Sequence, residues 1–314
     1  MKFFCQLSLT VVLAAVVLAR VSTGAVSDLS TVINSTINGT DSGFGPHVKV
    51  YSYDDIMSAP EPVDSYANLS TLVTAGNGAE GTYTADIRMS GGDTKQHVAQ
   101  ISGQRMWDVL HKCLLEICPY ERGRIGCYED MLGAGVPEKD GKMKRSYYSR
   151  CVIDKIPYKT KKGGYATDAS LTIKARAIFR NDKYPGMGAA TYEMAAGVYA
   201  RMTENKDNCY NVAFNDPSRP YQFCNVPRYV LVALPTTGPV TDSWLSMEVK
   251  FSGPTDHGTL DCSGSKRSVT GFWETAVRPD IAKIMGYPED QWGTRTTCAD
   301  NKDCFDVEKW RGCK

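Results

Sequence analysis

The chain has 314 residues, of which 42% are hydrophobic, and its 36 Lys and Arg nearly balance its 35 Asp and Glu, for a formal net charge of +1. A protein whose main task is to coat nucleic acid is normally strongly basic, so this balance argues against that class. The length suits one large domain or two modest ones, with enough chain to bury a hydrophobic core.

Residues 1–25 have the pattern of a cleavable secretory signal peptide. Lys2 precedes an apolar run from Leu7 to Leu18, and small residues follow up to Ala25. A membrane-spanning helix needs about 20 apolar residues, and this run is shorter. We therefore expect a secreted, extracellular protein without a transmembrane segment, whose thiols meet an oxidising compartment.

Residues 26–78 predict an irregular, glycosylated N-terminal arm. They are rich in Ser, Thr, Asn and Gly and show little periodicity, apart from one possible strand at 47–53. Three N-glycosylation sequons begin at Asn34, Asn38 and Asn68. Because all three fall in this stretch, an exposed segment is favoured over a packed one.

Residues 79–253 form the predicted core domain, in which apolar residues recur with strand or helix periods. Alternation predicts strands at 82–89, 146–156, 169–179, 229–234 and 244–251, and apolar stripes predict helices at 95–117 and 189–205. The order is strand–helix–strand, repeated, with one extra strand. It predicts an α+β fold of the ferredoxin-like (split β-α-β) type, with an antiparallel sheet, two helices on one face and stabilisation by disulfides.

Residues 254–314 are predicted to be a cysteine-rich C-terminal extension, with one helix at 269–285 that Pro279 breaks. Of the 11 cysteines, Cys5 lies in the signal peptide, and an even remainder in an exported chain predicts five disulfides. The remaining cysteines are Cys113, Cys118, Cys127, Cys151, Cys209, Cys224, Cys262, Cys298, Cys304 and Cys313. Their pairing is open, except that the last three are expected to include a bond within the tail. Metal binding is disfavoured because no C-x-x-C with a histidine partner occurs, and we expect no cofactor.

The candidate catalytic group is His257, which follows Asp256 in a Gly-rich stretch and precedes Asp261. A loop histidine beside carboxylates has the composition of a general acid or base. The alternative is a solvated turn histidine, since Asp and Gly are ordinary turn residues. His97 and His111 are predicted to lie on the surface of the first helix.

The candidate binding region is a basic stretch with interleaved tyrosines. Its members are Lys144, Arg145, Tyr147, Tyr148, Tyr158, Lys159, Lys161 and Lys162. Such a surface suits phosphates, anionic headgroups or acidic glycans, and its rings suit stacking on sugars. The alternative is a solvated hairpin whose lysines guard an edge strand. Lys144-Arg145 and Lys266-Arg267 are also dibasic pairs, expected in exposed loops where processing proteases cut.

These observations favour a binding protein over an enzyme, because histidine is scarce and no nucleophile or cofactor motif occurs. We expect binding at a cell surface or in the extracellular space, to an extracellular protein, a glycan or an anionic surface, and no nucleic-acid partner. A toxin- or effector-like role is the most specific form of this hypothesis. Two alternatives stay open: a secreted hydrolase that uses His257 with Asp256 or Asp261, and a structural wall or surface component.

Overall fold

A largely antiparallel sheet organises the chain. The computed structural model describes residues 48–60, 83–118, 126–127, 136–137, 143–144, 150–180, 183–214, 220–237, 240–306, 309 and 313. The strands are β1 (Val48–Ser52), β2 (Tyr83–Ser90), β3 (Gln96–His97), β4 (Gly126–Cys127), β5 (Val136–Pro137), β6 (Met143–Lys144), β7 (Arg150–Lys159), β8 (Tyr165–Ile178), β9 (Cys209–Val212), β10 (Tyr221–Val226), β11 (Tyr229–Thr237), β12 (Val240–Phe251) and β13 (Trp292–Ala299).

The main sheet has the spatial order β1-β7-β8-β12-β11-β2-β13. Its five inner strands pair antiparallel with one another. Each edge strand pairs in parallel, β1 with β7 and β13 with β2. The short strand β4 pairs with the end of β8, and the small sheets β3-β10-β9 and β5-β6 lie beside this path.

Helices pack on the sheet and bury alternate residues of its strands. They are α1 (Tyr53–Ser58), α2 (Gly103–Ile117), α3 (Met187–Glu204), α4 (Cys262–Phe272) and α5 (Arg278–Met285). The helices α2 and α3 contact each other. The helix α2 also contacts β7 and β8, and α3 contacts β11 and β12. On β8, Leu171 and Ile173 are fully buried, whereas Lys174 and Arg176 point to the opposite face.

The structure confirms a mixed α+β fold with disulfides, but it does not confirm the ferredoxin-like strand order. That order would place the first core strand, β2, directly beside β8. Instead the β11–β12 hairpin lies between them. The reason is the length of β12, which pairs with β8 from Trp244 to Phe251 and occupies the edge that β2 would otherwise use.

The first core helix begins at Gly103, later than the sequence pattern predicts. Ala99 and Gly103 each have a φ of 52°, which is the left-handed region and incompatible with a continuous α-helix. The apolar residues ahead of Gly103 are nevertheless buried, as Val98 and Ile101 show. The buried, non-helical residues before Gly103 therefore have the same apolar spacing as one face of a helix.

The prediction that His97 lies on a helix surface is wrong. His97 belongs to β3, which pairs with β10, and its side chain is only 2% exposed. His111 does lie on α2, but its ring packs inward: it stacks on Trp107 with 4.7 Å between ring centroids, and burial lowers its pKa to about 4.

Pro279 starts a helix instead of breaking one. The helix α4 begins at Cys262, and a π-helical turn, Trp273–Val277, joins it to α5. Pro279 lies in the first turn of α5, where its missing N–H leaves no hydrogen bond unmade. The pair Lys266-Arg267 lies inside α4, so the prediction of an exposed loop there is wrong.

Part of the predicted C-terminal extension is built into the core sheet. The strand β13 pairs with β2 along its whole length, from Trp292 opposite Tyr83 to Ala299 opposite Ser90. Trp292 is 1% exposed and lies 6.4 Å from Trp273, centroid to centroid. The ring therefore belongs to the core, beneath the tail.

Three disulfides join described residues: Cys209–Cys224, Cys262–Cys298 and Cys304–Cys313. The last confirms the predicted bond within the tail, whereas Cys298 pairs with a cysteine of α4 instead. Cys118 is disulfide-bonded as well.

The prediction that all ten cysteines are bonded is not met, because Cys113 and Cys151 are free thiols. Both are buried, on α2 and β7. The Cys151 thiol donates a hydrogen bond to the backbone carbonyl of Cys113, 3.6 Å from the oxygen. Burial and this neighbouring thiol raise the pKa of Cys151 well above its usual value.

Several predicted features lie outside the described residues: the signal peptide, the sequons at Asn34, Asn38 and Asn68, and residues Arg145, Tyr147 and Tyr148. They stay predictions. Lys144 lies on β6, and Cys127 lies on β4.

Candidate functional site

The β7–β8 hairpin carries half of the predicted binding residues. Tyr158 and Lys159 end β7, and Lys161 and Lys162 occupy the turn. Gly163, with a φ of 85°, allows the chain to reverse there, and its N–H donates to the carbonyl of Thr160. The two turn lysines are exposed.

The predicted catalytic loop lies against this hairpin. Lys161 Nζ is 3.5 Å from Asp256 Oδ2, an ion pair between side chains that are 78% and 58% exposed. Such an exposed pair stabilises the fold little, but it shows that the two regions are neighbours. Asn225 Nδ2 donates to the carbonyl oxygens of His257 and Thr259, which fixes the loop to β10.

Neither predicted carboxylate is a partner of His257. Asp261 caps α4, since its Oδ1 accepts a hydrogen bond of 2.8 Å from the Gly264 N–H. Asp256 faces Lys161. Within the described residues, the His257 ring instead contacts the Tyr210 ring, with 6.2 Å between centroids. The hypothesis of a histidine–carboxylate pair stays a prediction without a supporting contact.

His97, which the sequence pattern places on a helix surface and not in a site, is buried next to the loop and contacts both Pro157 and Tyr210. His97 Nε2 lies 2.9 Å from the carbonyl oxygen of Pro157, which can only accept, so Nε2 carries the proton. Nδ1 then accepts from the Tyr210 hydroxyl at 3.1 Å. Burial lowers the pKa of His97 to about 4 and raises that of Tyr210 to about 12. Both groups are therefore neutral at pH 7.

Exposed aromatic rings extend the hairpin into a larger surface. Tyr165 is 53% exposed and Tyr221 is 48% exposed, and they are the exposed large hydrophobic residues of the described part of the chain. Phe214 lies between them, 4.6 Å from Tyr165 and 5.7 Å from Tyr221, centroid to centroid. Tyr165 begins β8, whereas Phe214 and Tyr221 belong to the region of β9 and β10, so no single stretch of the sequence shows the cluster.

We name this region the hairpin surface. It consists of Tyr158, Lys159, Lys161, Lys162, Tyr165, Phe214, Tyr221 and His257. Its tyrosine hydroxyls and lysines offer hydrogen bonds and positive charge, and its ring faces offer stacking area. Among the described residues, Lys159 and Lys162 make no ion pair, whereas Tyr158 donates to Asp168 Oδ1 at 2.9 Å.

The described residues show no group of three or more His, Cys, Asp or Glu that could hold a metal ion. In the same ranges no helix is long and apolar enough to cross a membrane. Comparison with protein-family models, with curated proteins and with solved structures found no match to this chain.

Proposed function

We propose that this chain is an exported, disulfide-stabilised glycoprotein that binds an acidic glycan outside the cell through the hairpin surface. The observation that carries the proposal is the position of the exposed rings of Tyr165 and Tyr221 beside Lys159 and Lys162, which make no ion pair with a described residue. A sugar ring stacks its apolar face on an aromatic ring, and a carboxylate or sulfate group pairs with an ammonium group.

The firm attachment of the surface supports the proposal. Tyr165 begins β8, Tyr221 begins β10, and the Cys209–Cys224 disulfide ties β10 to its neighbour β9. Rings that are already held in place lose little conformational freedom on binding. Disulfides of this kind also suit an oxidising, extracellular compartment, which the predicted signal peptide and sequons imply.

A toxin- or effector-like role is the more specific form of the proposal. It requires that binding alter a target cell. Processing at Lys266-Arg267 would need the middle of α4 to unwind, since the pair lies within that helix. The pair Lys144-Arg145 is then the preferred place to look for a cut.

The test is a binding measurement with defined oligosaccharides: a heparin fragment for sulfates, an oligogalacturonate for carboxylates and a cello-oligosaccharide as the neutral control. The variant Lys159→Glu/Lys162→Glu should bind both acidic sugars about 10-fold more weakly or worse, and Tyr165→Ala/Tyr221→Ala about 5-fold or worse, a loss of at least about 1 kcal/mol. Affinity should fall as salt rises.

The matched control is Lys250→Glu, which reverses an exposed lysine of β12 away from the hairpin surface and should leave the affinity unchanged. No binding of either acidic sugar, or equal losses in all variants, would overturn the proposal.

The variant His257→Ala addresses the hydrolase alternative. It should leave binding intact, and loss of a hydrolytic activity with an intact fold would favour the enzyme.

A further inference from the structure

A recess lies away from the hairpin surface, where the C-terminal segment 302–306 covers the sheet. Its volume is about 320 Å³, at the lower end of the range for small-molecule sites. Strands β8, β11 and β12 form its floor, and Lys302, Asp303 and Phe305 form one wall.

The wall is held in place by covalent and polar contacts. The Cys304–Cys313 disulfide closes the segment on itself, and Ser246 Oγ donates to the Phe305 carbonyl oxygen at 2.8 Å. The Phe305 ring stacks on Tyr229, with 5.6 Å between centroids. One wall of the recess is therefore fixed to its floor.

Charged side chains stand on the floor in cross-strand rows. Glu248 lies opposite Lys174 on one neighbouring strand and opposite Tyr229 on the other. Arg176 lies opposite Ser246 in the next row. Side chains directly opposite each other in an antiparallel pair are close enough to interact.

Most of the negative charge at the recess is already paired. Arg228 donates to Glu248 Oε1 from Nε at 2.9 Å and from Nη2 at 2.7 Å. Lys309 Nζ lies 3.3 Å from Asp303 Oδ1. The Lys302 ammonium lies over the Tyr229 ring, 5.8 Å from its centroid, and neither Lys302 nor Arg176 makes an ion pair with a described residue.

The geometry points to a binding site for a monosaccharide-sized organic anion that carries a phosphate or a carboxylate group. Arg176 and Lys302 are the cations that would pair with the anionic group. The Glu248 and Asp303 carboxylates would accept hydrogen bonds from hydroxyl groups of the same molecule. The volume of about 320 Å³ accommodates one sugar ring with its substituent, so the site takes a smaller ligand than the hairpin surface.

The test is titration of the full chain with glucose 6-phosphate, glucuronate and, as the neutral control, glucose, followed by isothermal calorimetry or by amide chemical shifts. Saturable binding of at least one anionic sugar, without binding of glucose, is the expected result, and the two anions distinguish a phosphate from a carboxylate. Arg176→Gln and Lys302→Gln should each weaken that binding at least 10-fold, about the loss of one charge-assisted contact.

Two controls keep the outcome decisive. Lys250→Gln removes a charge from the same strand, β12, outside the recess, and should not change the affinity. Lys159→Glu/Lys162→Glu, in the hairpin surface, should not change it either, so the two sites can fail separately. Melting temperatures show that each variant is folded. No saturable binding up to about 10 mM, or binding that survives both glutamine substitutions, overturns the site.

Discussion

The imidazole of His97 lies between the backbone carbonyl of Pro157 and the hydroxyl of Tyr210 and is almost fully buried. Its pKa of about 4 in the folded chain is below the ordinary value of 6.5, because burial disfavours the charged ring. Between these two pH values the unfolded chain binds a proton that the folded chain does not. The contribution of His97 to the free energy of unfolding therefore falls as pH drops from about 6.5 to about 4, and His97 adds no further loss below that range.

We predict that His97 contributes about 3 kcal/mol to this loss by pH 4, an order-of-magnitude value from the size of the pKa shift. Urea unfolding measured at several pH values between 7 and 4 gives the slope. In His97→Gln the chain should be less stable at pH 7, since the packing around Tyr210 is disturbed, but its stability should fall less steeply with acid. Comparison of the two slopes cancels the other groups that titrate in the same range, including His111, whose pKa burial also lowers to about 4. Parallel slopes would contradict the prediction.

The residues of the hairpin surface show what the sequence could and could not reveal. Lys159, Lys161 and Lys162 stand out because basic residues cluster along the chain. Tyr165 and Tyr221 do not, since each is one aromatic residue in a strand, and such residues are usually buried. Their exposure and their common contact with Phe214 arise only when the start of β8 meets the region of β9 and β10.

Among the elements, those with a strong apolar period were predictable. The strands β8 and β12 and the helix α3 lie within a few residues of their predicted ranges, because alternation or an apolar stripe decides their conformation. The strand β13 was missed for a physical reason. It is an edge strand whose Thr294 and Thr296 face the interior, where Thr296 hydrogen-bonds with Thr270 of α4 at 2.8 Å. Because threonines that hydrogen-bond take the place of apolar residues on the inner face of β13, the alternating apolar pattern of a strand is missing from its sequence.

The helix α4 offers a test of what Asp261 does. Its carboxylate caps the helix through the Gly264 N–H, and a carboxylate near a helix N-terminus also interacts favourably with the helix dipole. We predict that Asp261→Ala lowers the free energy of unfolding by about 1 kcal/mol. Chemical unfolding of the purified variant measures the loss.

The matched variants are Asp261→Asn and Asp261→Ser, whose side chains also cap helices and should keep most of the stability. A residue that only caps the helix can be replaced by Asn without loss of function, whereas a catalytic carboxylate cannot. If Asp261→Asn folds as stably as the parent chain but loses a hydrolytic activity, the capping role is incomplete and the hydrolase hypothesis gains a residue.

At the scale of the whole molecule, the Cys262–Cys298 bond ties the start of α4 to the end of β13 and so fixes an edge strand to the helical layer. It closes a loop with a sequence separation of 36, the longest of the bonds between described residues. A loop of this length restricts the unfolded chain by about 4 kcal/mol in the chain-entropy model. We predict a loss of this size in Cys262→Ala/Cys298→Ala, and a smaller one in Cys304→Ala/Cys313→Ala, whose loop separation is 9.

The rate at which the free thiols of Cys113 and Cys151 are chemically labelled measures this loss of stability. Neither sulfur is accessible in the folded chain, so a maleimide reacts with them only when α2 separates from β7. When the chain recloses faster than the reagent reacts, the labelling rate follows the population of the open state. A loss of about 4 kcal/mol therefore accelerates labelling by roughly 10³-fold. Equal rates in the parent chain and in Cys262→Ala/Cys298→Ala would mean that α2 opens locally, independently of the disulfide. If the denatured parent chain yields no reactive thiol at either position, the two cysteines are bonded to each other and the assignment of free thiols is wrong.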